Sequence, residues 1–316
     1  MFKIYKTEKN RLRVIKKPTA DCWIDINSPT EDDLAALRKF KIKIPEEVLI
    51  SVRDQDEVPK IEQEDKYTFI LIQSPIDKPS SEPGEYVVAP IGILYNNKIT
   101  ITITEGRNDV LNYLRTKLRN YAKNKIINTA RRPQFIMKLI LFSSKIFLRY
   151  LKVINQRIYR AQNKLEVSSS DQDIINLMDV GKSLAYFNGA LRQNFFVIDK
   201  IAKKRNFHVL EDDEELLEDV MDETNQAKET VKIYERLVID TANTFGTIIS
   251  NNLNKTVKTL TSITIILMLP TLVASIYGMN VPLPYQNSPF AFVIVSAFIV
   301  LSLVLGFVFF FRNKLF

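Results

Sequence analysis

Cysteine and histidine are nearly missing: Cys22 and His208 are the only ones in the 316 residues. A single cysteine excludes a disulfide framework and any thiolate metal cluster. A single histidine excludes a histidine-cluster zinc site within one chain. His208, after "KKRNF", reads as an ordinary surface residue. Any metal handled here has to be met mainly by oxygen. Glycine is scarce as well, with eight in all. No phosphate-cradling glycine loop, nucleophile–base set or close metal-ligand cluster is visible, which argues against an enzyme.

Charge is absent from two long stretches near the end of the chain. No residue from Thr259 to Ile276 is charged, and none from Val281 to Phe311. A bilayer core of about 30 Å needs about 20 helical residues, so the two stretches predict a transmembrane helical hairpin in a lipid bilayer. The alternative is a buried helical core, which fits two such runs less well. The opening "MFKIYKTEKN" is polar and is not expected to be a signal peptide. Lys255 and Lys258 precede the first run, Arg312 and Lys314 follow the second, and the loop "VPLPYQNSP" has neither Lys nor Arg. The positive-inside rule then places both termini in the cytoplasm and the loop outside. About 255 residues precede the membrane, so most of the mass is expected in the cytoplasm.

What is present before the hairpin divides by pattern. Residues 1–106 read as an α/β module of the αβα type. "CWIDI", "YTFILIQ", "EYVVAPIGILYNN" and "KITITIT" are β-branched or aromatic runs between turn signals. In the last of these, Ile99, Ile101 and Ile103 alternate with Thr100, Thr102 and Thr104, as in a half-buried strand. "SPTEDDLAALRKF" predicts a short helix capped by Ser28 or Thr30, and Glu46–Val52 predicts another. Residues 107–210 are poor in Gly and Pro and predict long helices, broken near 167–170 and 206–210. Ser170 and Asp173 have the spacing of a capping box.

Residues 211–258 predict a stalk helix. Leu217, Val220, Thr224, Ala227, Val231, Tyr234, Val238, Thr241, Phe245 and Ile248 recur at steps of three and four. Such a stripe is either a packing face within one subunit or a seam between subunits. The hairpin that follows, residues 259–316 with an outer loop at 281–289, tips the expectation towards oligomerisation. At the same spacing, a second stripe continues through the first apolar run: Asn254, Val257, Thr261, Thr264, Met268, Thr271, Ser275 and Gly278. Six of these eight are small or polar. Either they pack helix against helix, or several subunits turn them towards a water-filled pore. Pro270 lies within the run, where it removes one backbone hydrogen bond.

At the outer end of that run stands "YGMN", Tyr277-Gly278-Met279-Asn280. Together with the striped span, the short loop, the second span, the basic tail and the large preceding domain, it resembles the Gly-Met-Asn signature of CorA-type magnesium transporters. The likeness covers the whole chain in layout and is closest over Asn254–Asn280. It implies a homopentameric, funnel-shaped channel for Mg2+, with no organic cofactor and no nucleic-acid partner. By the same resemblance, Asn280 rings the outer mouth while Gly278 and Met279 shape the turn. Asn254, Leu260, Met268 and Thr271 match pore positions, and Val257 stands where an apolar gate residue is usual. Neutral amide oxygens suit an ion that surrenders its water reluctantly. Glycine at 278 is expected to adopt angles closed to other residues. Family members often carry acids in the outer loop, and this loop has none; the tail "RNKLF" is a thinned version of the usual basic one.

Charge is segregated. "EDDEELLEDVMDE", 211–223, has only acids among its charged residues, whereas 107–164 is almost wholly basic apart from Asp109. The two can pair across helices. The resemblance instead implies a cytoplasmic Mg2+ sensor, with Asp219 and Asp222 as its stalk acids and Asp54, Asp56 and Glu57 as the nearest partners. Two other functions compete: a zinc or other divalent-cation transporter of the same superfamily, and a membrane-anchored scaffold whose basic helices bind nucleic acid or anionic lipid, which the net charge of +8 permits.

Overall fold

The structure is a computed structural model, and it describes residues 2–9, 11–77, 86–120, 128–165, 171–203, 213–284 and 288–313. The expected breaks near 167–170 and 206–210, the capping serine Ser170 and His208 lie outside the described residues. Two compact units are present, Met1–Ala242 and Asn243–Phe316.

The first unit is built on a seven-stranded sheet. Its strands are β1 (Phe2–Glu8), β2 (Arg11–Ile15), β3 (Cys22–Asn27), β4 (Lys60–Gln63), β5 (Thr68–Asp77), β6 (Tyr86–Tyr95) and β7 (Ile99–Thr104). Their order is β2-β1-β3-β7-β6-β5-β4, and only β3 and β7 run parallel among the paired neighbours. The four anticipated strands are all there. β1, β2 and β4 were not anticipated: "RLRVI" and "KIEQ" form the two sheet edges, where charged side chains discourage pairing with other chains.

Helices cover both faces. On one side α1 (Glu31–Lys39) and α2 (Glu46–Arg53) pack with Ile24, Ile26, Leu71, Leu94, Ile101 and Ile103. Thr30 caps α1 through a capping box: its hydroxyl accepts from the Asp33 N–H, and the Asp33 carboxylate accepts from the Thr30 N–H. On the other side α3 (Asp109–Asn120), α4 (Arg132–Leu165) and α5 (Asp171–Lys203) cover Trp23, Ile70, Ile72, Ile91 and Ile93. The layering is αβα, but its second helical layer comes from α3, α4 and α5, beyond the residues 1–106 expected to form the module by themselves.

β7 departs from the half-buried expectation. Thr100, Thr102 and Thr104 are as buried as the isoleucines between them, because helices lie on both faces. Thr102 belongs to a polar network within that core. It accepts from the Trp23 indole at 2.9 Å and donates to Asp25 at 3.1 Å, and Arg115 closes on the same carboxylate at 2.6 Å. Burial pushes the Asp25 carboxyl above its ordinary range, and Arg115 opposes that rise.

The stalk stripe is also resolved. α6 (Glu214–Tyr277) begins in the first unit, where Val220, Thr224, Ala227, Val231, Val238 and Thr241 are buried within the protomer. The Thr224 hydroxyl meets Ser144 of α4 at 2.7 Å, Gln162 of α4 donates to Thr241 at 2.9 Å, and Val238 lies beside Gly181 of α5. This part of the periodicity therefore packs within one chain, not along a seam between copies. Periodicity defines a face, and here α4 and α5 take it.

Candidate functional site

The second unit holds the hairpin. α6 and α7 (Ala291–Arg312) are both long and apolar enough to cross a membrane, and about 6% of each apolar window is buried. The face that α6 turns to α7 is narrow. Ser262 and Ile266 are buried, while Thr259, Pro270 and Val273 are half-buried. Gly306 of α7 sits against Ile266 and Leu269: a methyl placed there would lie 3.4–3.5 Å from their side chains. Gly306 was not among the residues singled out from sequence. Its signal was there, since it is the only glycine in α7.

The polar stripe lies on the other side. Asn254, Val257, Leu260, Thr261, Thr264, Met268, Thr271 and Ser275 are all exposed in the protomer. At about 100° per residue, their mean direction is roughly 180° from that of Ser262 and Ile266. The hairpin partner therefore does not account for the polar side chains.

Two of these hydroxyls are specifically oriented. Thr264 donates to the Leu260 carbonyl and Thr271 to the Leu267 carbonyl, each at 2.9 Å. Their hydrogens are used within the helix, so outwardly they offer lone pairs alone. A face of this kind receives hydrogens from water and suits a hydrated cation better than an anion.

At its C-terminal end the helix closes through Gly278 N–H to the Ala274 carbonyl at 3.0 Å and Met279 N–H to the Ile276 carbonyl at 3.2 Å. The reason for glycine at 278 differs from the expected one. Among the described residues Gly106 is the glycine with positive φ, and Gly278 is not in that region. What Gly278 provides is room, since a Cβ would stand 3.3 Å from the Ala274 carbonyl oxygen. Met279 and Asn280 are exposed in the turn that follows. The Asn280 amide has no hydrogen-bond partner among the described residues and is available to a ligand. Tyr277 reaches over the turn, its hydroxyl 3.5 Å from the Pro284 carbonyl.

The acids expected to sense metal form no site within one protomer. Among the described residues no group of three or more His, Cys, Asp or Glu is placed to hold an ion. Asp219 and Asp222 are exposed on α6. Asp54 accepts from the Asp56 N–H in a local turn, and Glu57 is engaged by Lys60 at 2.9 Å. Part of the acidic run does pair with the basic helix: Gln134 donates to buried Asp213 at 2.8 Å, and Lys145 lies 3.7 Å from Glu223.

Comparison with known proteins agrees with this layout. Residues 20–312 match the CorA-like Mg2+ transporter protein family. The cobalt/magnesium transport protein CorA of Methanocaldococcus jannaschii is 25% identical over 294 residues, 92% of this chain and 90% of that protein. The complete structure of the CorA magnesium transporter from the same organism superposes with a TM-score of 0.84 at 20% identity, covering 99% of this chain and 98% of that one. Full-length CmaX gives 0.74 at 15% identity, covering 99% and 97%. The ZntB cytoplasmic domain from Vibrio parahaemolyticus gives 0.62 at 12% identity, covering 79% of this chain and 98% of that domain. With the family matched over nearly the whole chain, and its fold shared from the first strand to the second apolar helix, this protein is a member of the CorA-like Mg2+ transporter family.

Proposed function

We propose that five copies of the chain surround a pore lined by the exposed face of α6, through which hydrated Mg2+ crosses the bilayer. Family membership makes the chain a Mg2+ transporter rather than an enzyme. The observation that supports the pore is the opposition of faces on α6: Ser262 and Ile266 serve the hairpin, leaving Asn254, Thr261, Thr264, Thr271 and Ser275 to a different environment. Lipid is a poor one for them. A shared aqueous axis satisfies them all.

In this reading Asn280 forms the outer ring and accepts hydrogens from the ion's hydration shell without stripping it. Thr271 and Thr264 continue the acceptor path, and Asn254 ends it. Val257, Leu260 and Met268 form apolar rings that stop conduction by drying a narrow section. Both termini lie in the cytoplasm, with Lys255, Lys258 and Arg312 at the inner surface. Asp219 and Asp222 of one copy and Asp54, Asp56 and Glu57 of its neighbour bind cytoplasmic Mg2+ between them and hold the channel shut. That no such cluster forms among the described residues of one protomer is consistent with ligands shared between copies.

The test is ion flux in liposomes holding the purified protein. Wild type should admit Mg2+, and Asn280→Ala should lose uptake or selectivity. Faster uptake of Zn2+ than Mg2+ by the wild type would favour a zinc transporter. Absence of flux for any divalent ion would overturn the pore and leave the membrane-anchored scaffold.

A further inference from the structure

One opening in the first unit lies far along the chain from α6. It is a cavity of about 850 Å³ between α1, α2 and the edges of β6 and β7. Pockets of roughly 300–1,000 Å³ suit small organic ligands. The floor of this one is apolar, made by Leu34, Leu49, Leu94 and Ile101. Its rim is cationic: Arg38, Lys41, Lys43, Arg53 and Lys66 stand against the carboxylates of Glu31 and Glu46. Arg53 has a distant partner in Glu105 at 4.0 Å. The side chains of Arg38, Lys41, Lys43 and Lys66 have no ion pair among the described residues.

Two local features sharpen this. Lys41 has φ +60°, in the left-handed region, where α1 is closed by its N–H to the Arg38 carbonyl and by Ile42 N–H to the Leu37 carbonyl. Glycine is the residue usually favoured at such a turn. A lysine there costs backbone energy and places a cation beside the cavity. α2 starts at Pro45 with no side-chain cap, and both Pro45 and Glu46 line the cavity. The helix end brings partial positive charge to the same rim, where the first-turn carboxylates Glu46 and Glu47 oppose it. Tyr67 packs with the core on this face of the sheet and supplies a flat surface on the wall.

The geometry points to a binding site for a nucleoside polyphosphate, its phosphates on Arg38, Lys41 and Lys43 and its base over the apolar floor beside Tyr67. Inorganic phosphate would leave the floor unused, and a simple fatty chain would leave most of the cations unpaired. None of these residues belongs to the proposed pore, so the inference stands apart from that reading.

The full-length protein in detergent is titrated with a fluorescently labelled ATP in the presence of EDTA, and anisotropy is followed. Saturable binding is expected, displaced by unlabelled ATP. K41E combined with K43E should weaken it by about tenfold or more, because two charge-assisted contacts are lost. Both side chains are exposed, and an unchanged circular dichroism melt will show that the fold is intact. Absence of saturable binding, or equal binding by the double variant, would overturn the site. Displacement by inorganic triphosphate as effective as by ATP would overturn the role given to the floor. Displacement by dodecyl phosphate but not by ATP would replace the nucleotide with an anionic amphiphile. The assay reads no transport, so its failure leaves the pore untouched.

Discussion

Gly306 of α7 and Ile266 of α6 meet so closely that a methyl on the glycine would lie 3.5 Å from the isoleucine Cγ1. This contact turns the α7-facing side of α6 away from its polar stripe. Gly306→Ala should be tolerated, since 3.4–3.5 Å is close to ordinary contact. Gly306→Leu should overfill the contact and cost about 1–3 kcal/mol. Thermal unfolding in detergent checks this, with the alanine variant close to wild type and the leucine variant clearly lower.

Thr264→Val and Thr271→Val keep side-chain shape while removing an acceptor from the stripe. Each should lower Mg2+ flux several-fold if one water-mediated contact of about 1 kcal/mol is lost. Folding should change little, because both hydroxyls donate only to their own helix. Fluxes in liposomes at matched protein density decide it, and undiminished flux in the pair would place these residues off the conduction path.

Val231 tests the assignment of the stalk stripe to a single protomer. It is fully buried among α-helical neighbours of its own chain. Val231→Ala should destabilise the fold by about 1–3 kcal/mol through lost burial and a cavity. The number of copies per particle, read by light scattering in detergent, should stay the same. Dissociation without loss of stability would assign the residue to a seam between copies instead.

Asp25 predicts a pH dependence. Its folded-state carboxyl titrates above the ordinary value of 3.8 because burial outweighs Arg115. The folded chain then holds this proton more firmly than the unfolded chain. Its contribution to stability is fullest below 3.8 and falls as pH rises through the folded value. Asp25→Asn should remove that slope from urea midpoints measured between pH 3.5 and 7. It should also lower stability by about 1–3 kcal/mol, as Arg115 exchanges a carboxylate for a neutral amide.

Charge-neutralising Asp219→Asn with Asp222→Asn should leave flux less sensitive to internal Mg2+. Liposomes loaded with increasing Mg2+ and assayed by uptake of a second divalent ion measure this. Unchanged inhibition in the double variant would remove these acids from the sensor.

Much of this was readable from residues in order. A β-branched run between turn signals disclosed β6, alternation disclosed β7, and "TEDD" disclosed the start of α1, because each is fixed by neighbours along the chain. β2 and β4 escaped notice because edge strands carry charge where interior strands carry isoleucine. The stripe from Val220 to Thr241 was visible as a face, but its occupant was not. What covers a face depends on where α4 and α5 fold back. Gly278 was recognised for its place in the motif, yet its reason lies in the nearness of the Ala274 carbonyl. Of the cationic cavity only the basic run Arg38–Lys43 was visible in order; the rest is assembled from α2 and two strand ends that only the sheet brings together.

Pro270 has one more consequence. It sits inside α6 without breaking it, but it has no N–H to give the Ile266 carbonyl four residues earlier. One rung is missing from the ladder, between the Leu260 and Met268 positions on one side and Ser275 with Asn280 on the other. A rod with a missing rung flexes there before it flexes elsewhere. The amide-bearing tip is thus mounted on a joint, and in the proposed channel a tilt there would re-aim Asn280 without disturbing the helix beneath.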